Sequence, residues 1–273
     1  MNRRTNLRVL GAAVAIVMAT WMAPLDGSSS HARQPAAGAG TEIRAMTFNI
    51  HHAEGVDGKL DVARIADLIR ESGADVVGLQ EVDRGVERSG RRDILKELAD
   101  LTGMRLAFGK NIDHQGGDYG NGLLTKWPIV SEGNRHLPGD GSEQRGALQV
   151  VIDVGGTQVL VLTTHLDYRR PDNDRVASAD ALIDMLQGWG AGPVVALGDF
   201  NDVPGSRTHA RLVSMLTDAW AAVGKGDGFT IPVAAPNRRI DWILVRGLEP
   251  VRVEVLTTQA SDHLPVVATL RLK

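Results

Sequence analysis

The 273-residue sequence contains no cysteine. Neither a disulfide framework nor a lipid-modified cysteine is therefore available, and the fold must be stabilised by packing and by any bound metal. Aromatic residues are also scarce, at 4% of the chain, whereas hydrophobic residues make up 43%. The hydrophobic share is that of an ordinary globular protein, so we expect a full core built mainly from Val, Leu, Ile and Ala.

Long hydrophobic runs are missing except at the N-terminus. Arg3 and Arg4 precede an apolar segment that ends at Ala23, and small and polar residues follow as far as Ala32. This order is typical of a secretory signal peptide, so residues 1–32 are predicted to be removed on export to the periplasm or the medium. The apolar segment is shorter than the ~20 residues of a membrane helix. An uncleaved anchor is the alternative, and no stable membrane insertion is expected after cleavage.

An excess of basic charge is missing as well. The formal net charge is -3, and removal of the signal peptide, with three arginines and one aspartate, leaves -5. Proteins that bind long polyanions usually carry a basic stripe, and none is visible here. Nucleic acid is therefore possible but not favoured as a partner, since a bound cation can supply local positive charge.

The remainder of the chain is predicted to be one domain. Residues 33–40 contain three alanines, two glycines and one proline and indicate a flexible leader. Residues 41–273 contain neither an internal repeat nor a second linker, and their length suits a single large domain, which we expect to be a monomer.

Apolar runs bounded by turn residues predict strands, and helical periodicity predicts helices between some of them. Segments of β-α-β type occur beside neighbouring strands joined by Gly155-Gly156, which indicates an α/β fold with mixed sheets covered by helices. The predicted strands are 43–48, 76–79, 122–125, 147–154, 158–164, 194–197, 240–245, 251–256 and 266–272, and the helical patterns include Ile65, Leu98 and Leu182.

Polar residues follow four of these strands directly. They are Asn49, Glu81, His165 and the pair Asp199 and Asn201. Each alone could be a turn or helix cap, because Asn and Asp favour such positions. Repetition at four strand ends instead indicates a ligand site, since side chains converge at the strand ends of α/β sheets.

Seven motifs lie around these positions, of which the most specific are Gly-Asp-Phe-Asn at 198–201 and Ser-Asp-His-Leu-Pro at 261–265. Together they resemble those of the endonuclease/exonuclease/phosphatase superfamily, and the segments 49–52, 57–60 and 119–122 resemble its bacterial exported members. The resemblance implies a four-layered α/β sandwich, with two central mixed β-sheets flanked by helices and an active site at one edge. The other five motifs lie at 47–49, 79–81, 120–124, 164–166 and 239–243.

The resemblance also implies a divalent metal, Mg²⁺ or, as a substitute, Mn²⁺. Glu81 matches the family's metal ligand, and Asn49 and Asp262 are expected to complete the site. These are the hard oxygen donors that Mg²⁺ prefers. The metal would neutralise the charge of a phosphate ester and stabilise the transition state.

The remaining family positions imply acid-base and phosphate-binding roles. Asp199 would orient or deprotonate the attacking water, and Asn201 would donate to a phosphate oxygen. Asp241 would hold His263 as a cation that contacts the phosphate. His165 would be a second phosphate-facing imidazole that helps to protonate the leaving oxygen. The secondary, substrate-binding candidates are Asn121, Arg145 and His52, although Arg145 could instead form a surface ion pair.

Three functions are consistent with these features. The first is a phosphodiesterase acting on a small or lipid-head-group phosphodiester, because the chain has no basic or aromatic-rich insertion for gripping a duplex. The second is a secreted Mg²⁺-dependent nuclease. The third, from another class, is a binding module that keeps the fold without catalysis, against which the complete set of candidate residues argues.

Overall fold

The computed structural model of the chain describes residues 40–140 and 143–273. The predicted signal peptide and nearly all of the predicted leader lie outside the described residues. Five helices are described: α1 (Val62–Ser72), α2 (Ile94–Thr102), α3 (Asn173–Trp189), α4 (Arg207–Val213) and α5 (Ala219–Val223). The strands are β1 (Glu42–Asn49), β2 (Val76–Arg84), β3 (Arg105–His114), β4 (Gly117–Thr125), β5 (Ile129–His136), β6 (Gly146–Val154), β7 (Thr157–His165), β8 (Val194–Asp199), β9 (Thr217–Asp218), β10 (Asp241–Arg246), β11 (Leu248–Val255) and β12 (Val266–Leu272).

The strands form two mixed sheets of six strands each. The first sheet has the order β11-β12-β1-β2-β4-β3, and the second has the order β5-β6-β7-β8-β10-β9. One parallel pair lies inside each sheet, β1 with β2 and β7 with β8, and the other pairs are antiparallel. Helices cover both sheets, so the predicted α/β sandwich is confirmed.

Alternate residues of the central strands face different hydrophobic clusters. Val76 and Val161 belong to the cluster shared by the two sheets, whereas their neighbours Val77 and Leu162 belong to the outer clusters. Helices α1 and α2 complete one outer cluster, and α3 completes the other. Because both faces of these strands are covered, the sequence shows continuous apolar runs there instead of alternation. The candidate site residues His165 and Asp199 stand at the ends of two of these inner strands.

Local sequence signals explain where helix α1 begins and ends. The Asp61 side chain accepts a hydrogen bond from the backbone N–H of Arg64, which caps the first turn. Gly73 ends the helix with φ 67°, a left-handed conformation that glycine adopts without the steric cost of a Cβ.

The edges of the sheets depart from the prediction. β3 and β5, which no apolar run predicted, are edge strands, and most of β5 is exposed to solvent. An edge strand buries little of its surface and therefore keeps polar residues, so its pattern is weak. No helix in the described ranges has the length and hydropathy needed to cross a membrane.

Candidate active site

Three neighbouring strands of the second sheet bring polar side chains to one edge. His165 ends β7 and Asp199 ends β8, and these two residues are register partners in the parallel pair. Asp241 begins β10 and is the antiparallel partner of Asp199. The register therefore places one imidazole and two carboxylates side by side. All three residues are buried, so their interactions are weakly screened by water.

The first sheet contributes Asn49 and Glu81. Asn49 ends β1, and Glu81 lies where β2 shifts register against β4, between Leu79 and Val82. Glu81 has φ 58°, a left-handed conformation that costs a non-glycine residue about 1–2 kcal/mol. Bulges of this kind re-aim side chains beside active sites. Here the Glu81 carboxylate accepts a hydrogen bond of 2.9 Å from Asn49 Nδ2.

Side chains from both sheets converge on one oxygen of Asp199. Asp199 Oδ2 lies 3.1 Å from Asn49 Nδ2, 3.5 Å from His165 Nε2 and 3.7 Å from His263 Nε2. The distances to the two imidazoles are longer than good hydrogen bonds. The acid and the two rings thus converge on one point without forming a direct short hydrogen bond to each other.

His263 is held by a buried carboxylate and by its own loop. His263 Nδ1 lies 2.9 Å from Asp241 Oδ2, and Thr230 Oγ1 donates to the same oxygen at 2.5 Å. The His263 backbone N–H donates to Ser261 Oγ at 3.2 Å, and that hydroxyl donates to the Asn49 carbonyl at 2.7 Å. These contacts orient the ring so that Nε2 faces Asp199.

The three ionisable groups around this point have displaced pKa values. Burial, with the Asp241 carboxylate, raises the pKa of Asp199 to about 7. Burial alone would lower the pKa of His263, but Asp241 and Asp199 overcome it and raise that pKa to about 10. Burial, with the charges of Arg145 and His263, holds the pKa of His165 well below its ordinary range. At neutral pH the site therefore contains one cationic ring, one neutral ring and a carboxyl group able to exchange a proton.

The donors around Glu81 suit a hard divalent cation. Among the described residues, the Glu81 carboxylate accepts one hydrogen bond, through Oε1, which leaves lone pairs for a metal. Asp262 is half-buried, and its Oδ1 lies 3.3 Å from Ser261 Oγ. Asn49 turns Nδ2 to the two carboxylates, while its Oδ1 accepts from the His51 backbone N–H at 3.1 Å. The free lone pairs of Glu81 suit a magnesium ion, and ligation by Asn49 and Asp262 stays a prediction.

Asn201 supports the loop that follows β8. It has φ 50°, its backbone N–H donates to Asp199 Oδ1 at 2.9 Å, and Nδ2 donates to the Leu166 carbonyl at 3.0 Å. These bonds orient Asp199 and join the ends of β7 and β8. The predicted contact between the Asn201 amide and a phosphate oxygen stays a prediction.

The three secondary candidates lie in different surroundings. Asn121 Nδ2 donates to the Gly146 carbonyl at 2.9 Å, and its buried Oδ1 has no partner among the described residues. Arg145 pairs with Glu143 at 2.8 Å but is only 5% exposed, which differs from the surface ion pair considered as its alternative. His52 is buried beside Glu81. Burial and the charge of Arg88 lower the pKa of His52.

Thr230 is a contributor that the sequence did not reveal. It lies in the segment between α5 and β10, where hydrophobic periodicity is absent, and is fully buried. Its hydroxyl donates a hydrogen bond to Asp241 Oδ2, the oxygen that also contacts His263 Nδ1. This bond helps to fix the position of the carboxylate beside the ring. Tyr119, which directly precedes the motif at 120–124, was not a candidate site residue. Burial, with the Glu81 carboxylate, raises the pKa of Tyr119, so its phenol stays protonated.

Known proteins are similar to this chain over most of its length. A model of the endonuclease/exonuclease/phosphatase family matches residues 46–263. The uncharacterized protein YbhP of Escherichia coli strain K12 is 29% identical over 250 residues, which covers 84% of this chain and 96% of YbhP.

Solved structures show the same fold. An endonuclease/exonuclease/phosphatase from Beutenbergia cavernae has a TM-score of 0.72 at 28% identity, covering 85% of this chain and 72% of that one. A mannosyl-6-phosphatase of Bacteroides thetaiotaomicron has a TM-score of 0.72 at 20% identity, covering 84% and 99%. At that identity the second likeness shows the fold alone.

The matched range includes every residue of the site described above, from Asn49 to His263. Members of the matched family are hydrolases that act on phosphoester bonds, and they include phosphatases, nucleases and phosphodiesterases. The resemblance inferred from the motifs is confirmed, and the chain belongs to the endonuclease/exonuclease/phosphatase family.

Proposed function

We propose that this family member is a divalent-metal-dependent phosphodiesterase, acting on a small or lipid-head-group phosphodiester. The observation that carries the proposal is the environment of Asp199 Oδ2, which lies between two imidazoles and next to the amide that binds Glu81. A phosphodiester is anionic and repels hydroxide, so its hydrolysis needs a base for water and positive charge for the phosphate. This cluster can supply both.

In the proposed reaction Asp199 accepts a proton from water, and the water oxygen forms a bond to phosphorus. The cationic His263, held by Asp241, stabilises the negative charge that develops on the phosphoryl oxygens. His165 has a lowered pKa and is neutral, so its N–H suits a hydrogen bond to phosphate but does not supply a proton, and the leaving oxygen takes its proton from solvent as the P–O bond breaks. A magnesium or manganese ion bound by Glu81, with Asn49 and Asp262, would neutralise further phosphate charge.

Charge and composition support a small substrate over nucleic acid. The predicted mature chain has a formal charge of -5, and the segment from 202 to 239 contains only Trp220 and Phe229 as aromatic residues. Single-stranded nucleic acid is commonly bound by a basic groove with stacking aromatic side chains. The phosphatase from Bacteroides thetaiotaomicron shows that this fold also occurs in an enzyme named for a phosphate monoester, so a monoester belongs in the test.

The test is hydrolysis of bis-p-nitrophenyl phosphate by the purified protein with Mg²⁺ or Mn²⁺ and with EDTA. We expect turnover that needs the metal and exceeds turnover of p-nitrophenyl phosphate. Plasmid DNA, glycerophosphocholine and glycerophosphoinositol then separate the substrate classes. Preferred cleavage of DNA would favour a secreted nuclease, and no turnover of any ester with either metal would favour a binding module.

We also propose that the enzyme is exported, with cleavage shortly after Ala32. The support is the order of basic, apolar and small residues at the N-terminus. Mass spectrometry of the protein from its native host, with cell fractions separated, tests this directly. An intact Met1 in the cytosolic fraction would contradict export.

A further inference from the structure

Two histidines follow the candidate site in an unusual backbone turn. The turn His51–Ala53 comes after β1, and His51, His52 and Ala53 have φ values of 45°, 45° and 70°. Left-handed conformations cost non-glycine residues about 1–3 kcal/mol each, and such strain collects at functional sites. Here it places two successive imidazoles next to Glu81, which itself has φ 58°.

The three side chains present a compact set of ligand atoms. One nitrogen from each histidine and one carboxylate oxygen of Glu81 all lie within 4.8 Å of one another. The two ring centroids are 4.5 Å apart with an angle of 64° between the planes. In a tetrahedral site with ligand distances of about 2.1 Å, the ligand atoms lie about 3.4 Å apart. The side chains must therefore move together by up to about 1.4 Å to close around a cation.

Glu54 prepares both rings for metal binding. His51 Nδ1 lies 3.2 Å from the Glu54 carbonyl oxygen, an acceptor, so Nδ1 carries the proton and Nε2 keeps a lone pair. His52 Nε2 lies 3.5 Å from Glu54 Oε2, which leaves Nδ1 as the free nitrogen. That Nδ1 is buried and has no partner among the described residues. Metal-binding histidines typically direct their second nitrogen to a carbonyl or carboxylate in this way.

We propose that His51, His52 and Glu81 form a transition-metal site that takes Zn²⁺. Imidazole nitrogens suit zinc and disfavour magnesium, which prefers oxygen ligands and retains water. The site rests on the proposed function in one respect, because Glu81 is shared with the hydrolytic centre. Three protein ligands leave a coordination position open, as in catalytic zinc sites.

The test measures bound metal and needs no substrate. The full chain, without a histidine tag, is stripped with EDTA, incubated with Zn²⁺ in excess Mg²⁺, gel-filtered and analysed for zinc by mass spectrometry. We expect about one zinc ion per chain, as a single three-ligand site predicts. In addition, Co²⁺ should give visible absorption bands of a nitrogen-ligated ion.

Variants with matched controls locate the ion. His51→Ala and His52→Ala should each weaken zinc binding at least about 10-fold, and Glu54→Gln should weaken it by about 10-fold through ring orientation. His136→Ala and Glu87→Gln change exposed residues of the same types and should bind zinc as the unaltered chain does. Glu54 is half-exposed, so its variant should fold even if a histidine variant does not.

Two results would overturn the site. One is an unaltered chain that retains no zinc above the background of a protein without such a cluster. The other is folded histidine variants that bind zinc as His136→Ala does. Zinc binding without ester turnover would count against the hydrolase proposal alone, whereas turnover with Mg²⁺ but no zinc binding would count against this site alone.

Discussion

The two sheets contribute to the candidate active site in different ways. The second sheet provides His165, Asp199 and Asp241 from regular strand ends, each buried and in register with its neighbour. The first sheet provides Glu81, which has φ 58° and lies at a bulge. Beside Glu81 lies the turn at His51 and His52, whose backbone is also left-handed. The half provided by the second sheet is regular and buried. The half provided by the first sheet is irregular and partly exposed to solvent.

This difference matches the chemistry that each half would perform. Proton transfer depends on pKa values, which burial and fixed neighbouring charges displace strongly. A divalent metal instead needs oxygen or nitrogen atoms that converge from outside a regular strand, together with space for water. Asn49 joins the halves, because its Nδ2 donates to both Glu81 and Asp199. Removing groups one at a time from either half tests this division.

The largest loss is expected from Asp199→Asn, which removes the base while keeping the side-chain shape. General acid-base groups contribute about 10²–10⁴-fold to rate, and we expect kcat/KM to fall by about 10³–10⁴-fold. The pKa of Asp199 is about 7 and the carboxylate is the active form, so activity of the unaltered enzyme should rise with pH through that region. Steady-state kinetics against pH measure both effects.

Asp184→Asn on the exposed face of α3 is the matched control and should keep full activity. A fall of less than tenfold in Asp199→Asn would mean that another group activates the water and that the buried half is structural.

Asp241→Asn should produce the next largest effect, a fall in kcat of about 10²–10³-fold. Without the carboxylate the pKa of His263 falls from about 10, so the ring loses its charge at lower pH. The alkaline limb of the pH-rate profile should therefore move to lower pH, with kcat reduced more than KM increases. His263→Ala should cost about as much alone as together with Asp241→Asn, because the two act as a unit.

Additive effects of the two substitutions would contradict that pairing. So would an unmoved alkaline limb in Asp241→Asn, which would leave Asp241 as a structural group that orders Thr230 and the start of β10.

Much of the fold could be predicted because its central strands are covered on both faces. Burial makes segments such as 159–162 and 194–197 continuously apolar, and this pattern survives in the sequence. β3 and β5 could not be predicted in this way, since edge strands bury little surface and carry polar residues such as Lys110 and Glu132. Their pairing depends on partners distant in the chain, which no local pattern encodes.

The candidate site could likewise be predicted only in part. Strand-end positions pointed to Asn49, Glu81, His165 and Asp199, and the family motifs added Asp241 and His263. The bridge from Asn49 to Asp199 depends on how two separate sheets pack and could not be predicted from either motif. Thr230 was missed because its role arises from a contact with Asp241 and not from any pattern in its own segment.

Glu81→Gln tests the irregular half and should have an intermediate effect. Loss of an outer partner of a metal ligand costs about 10–100-fold in metal affinity or activity, and loss of a ligand should cost about as much or more. We expect the Mg²⁺ concentration for half-maximal activity to rise by about 100-fold, with little change in melting temperature, because Glu81 is partly exposed. Activity against metal concentration, beside a melting curve, provides the measurement.

Glu132→Gln, on an exposed edge strand, is the control and should leave the metal dependence unchanged. An unchanged metal requirement in Glu81→Gln would remove this residue from the set of ligands.

Asp218→Asn is expected to have the smallest effect on turnover and a clear effect on stability. Asp218 lies in β9, next to β10 at the edge of the second sheet. Asp218 is buried, and its oxygens accept from Arg239 at 2.9 and 3.1 Å and lie 2.9 Å from His209 Nε2. Burial alone would raise the pKa of Asp218, but His209 and Arg239 lower it to about 2. A lowered pKa means that the ionised form stabilises the fold, in this case by about 2–3 kcal/mol at pH 7.

That stabilisation should be fully present above the ordinary carboxyl pKa near 4 and be lost as pH falls through about 2. Chemical unfolding at pH 7 should therefore show Asp218→Asn less stable by about 2–3 kcal/mol, while kcat/KM at neutral pH changes less than tenfold. Asp113→Asn, at an exposed ion pair, should change stability by less than about 1 kcal/mol. If the deficit of Asp218→Asn were as large at pH 2 as at pH 7, packing and not charge would hold Arg239 in place. Strands β8 and β10 would then be stabilised by their hydrophobic contacts alone and not by the charge of Asp218.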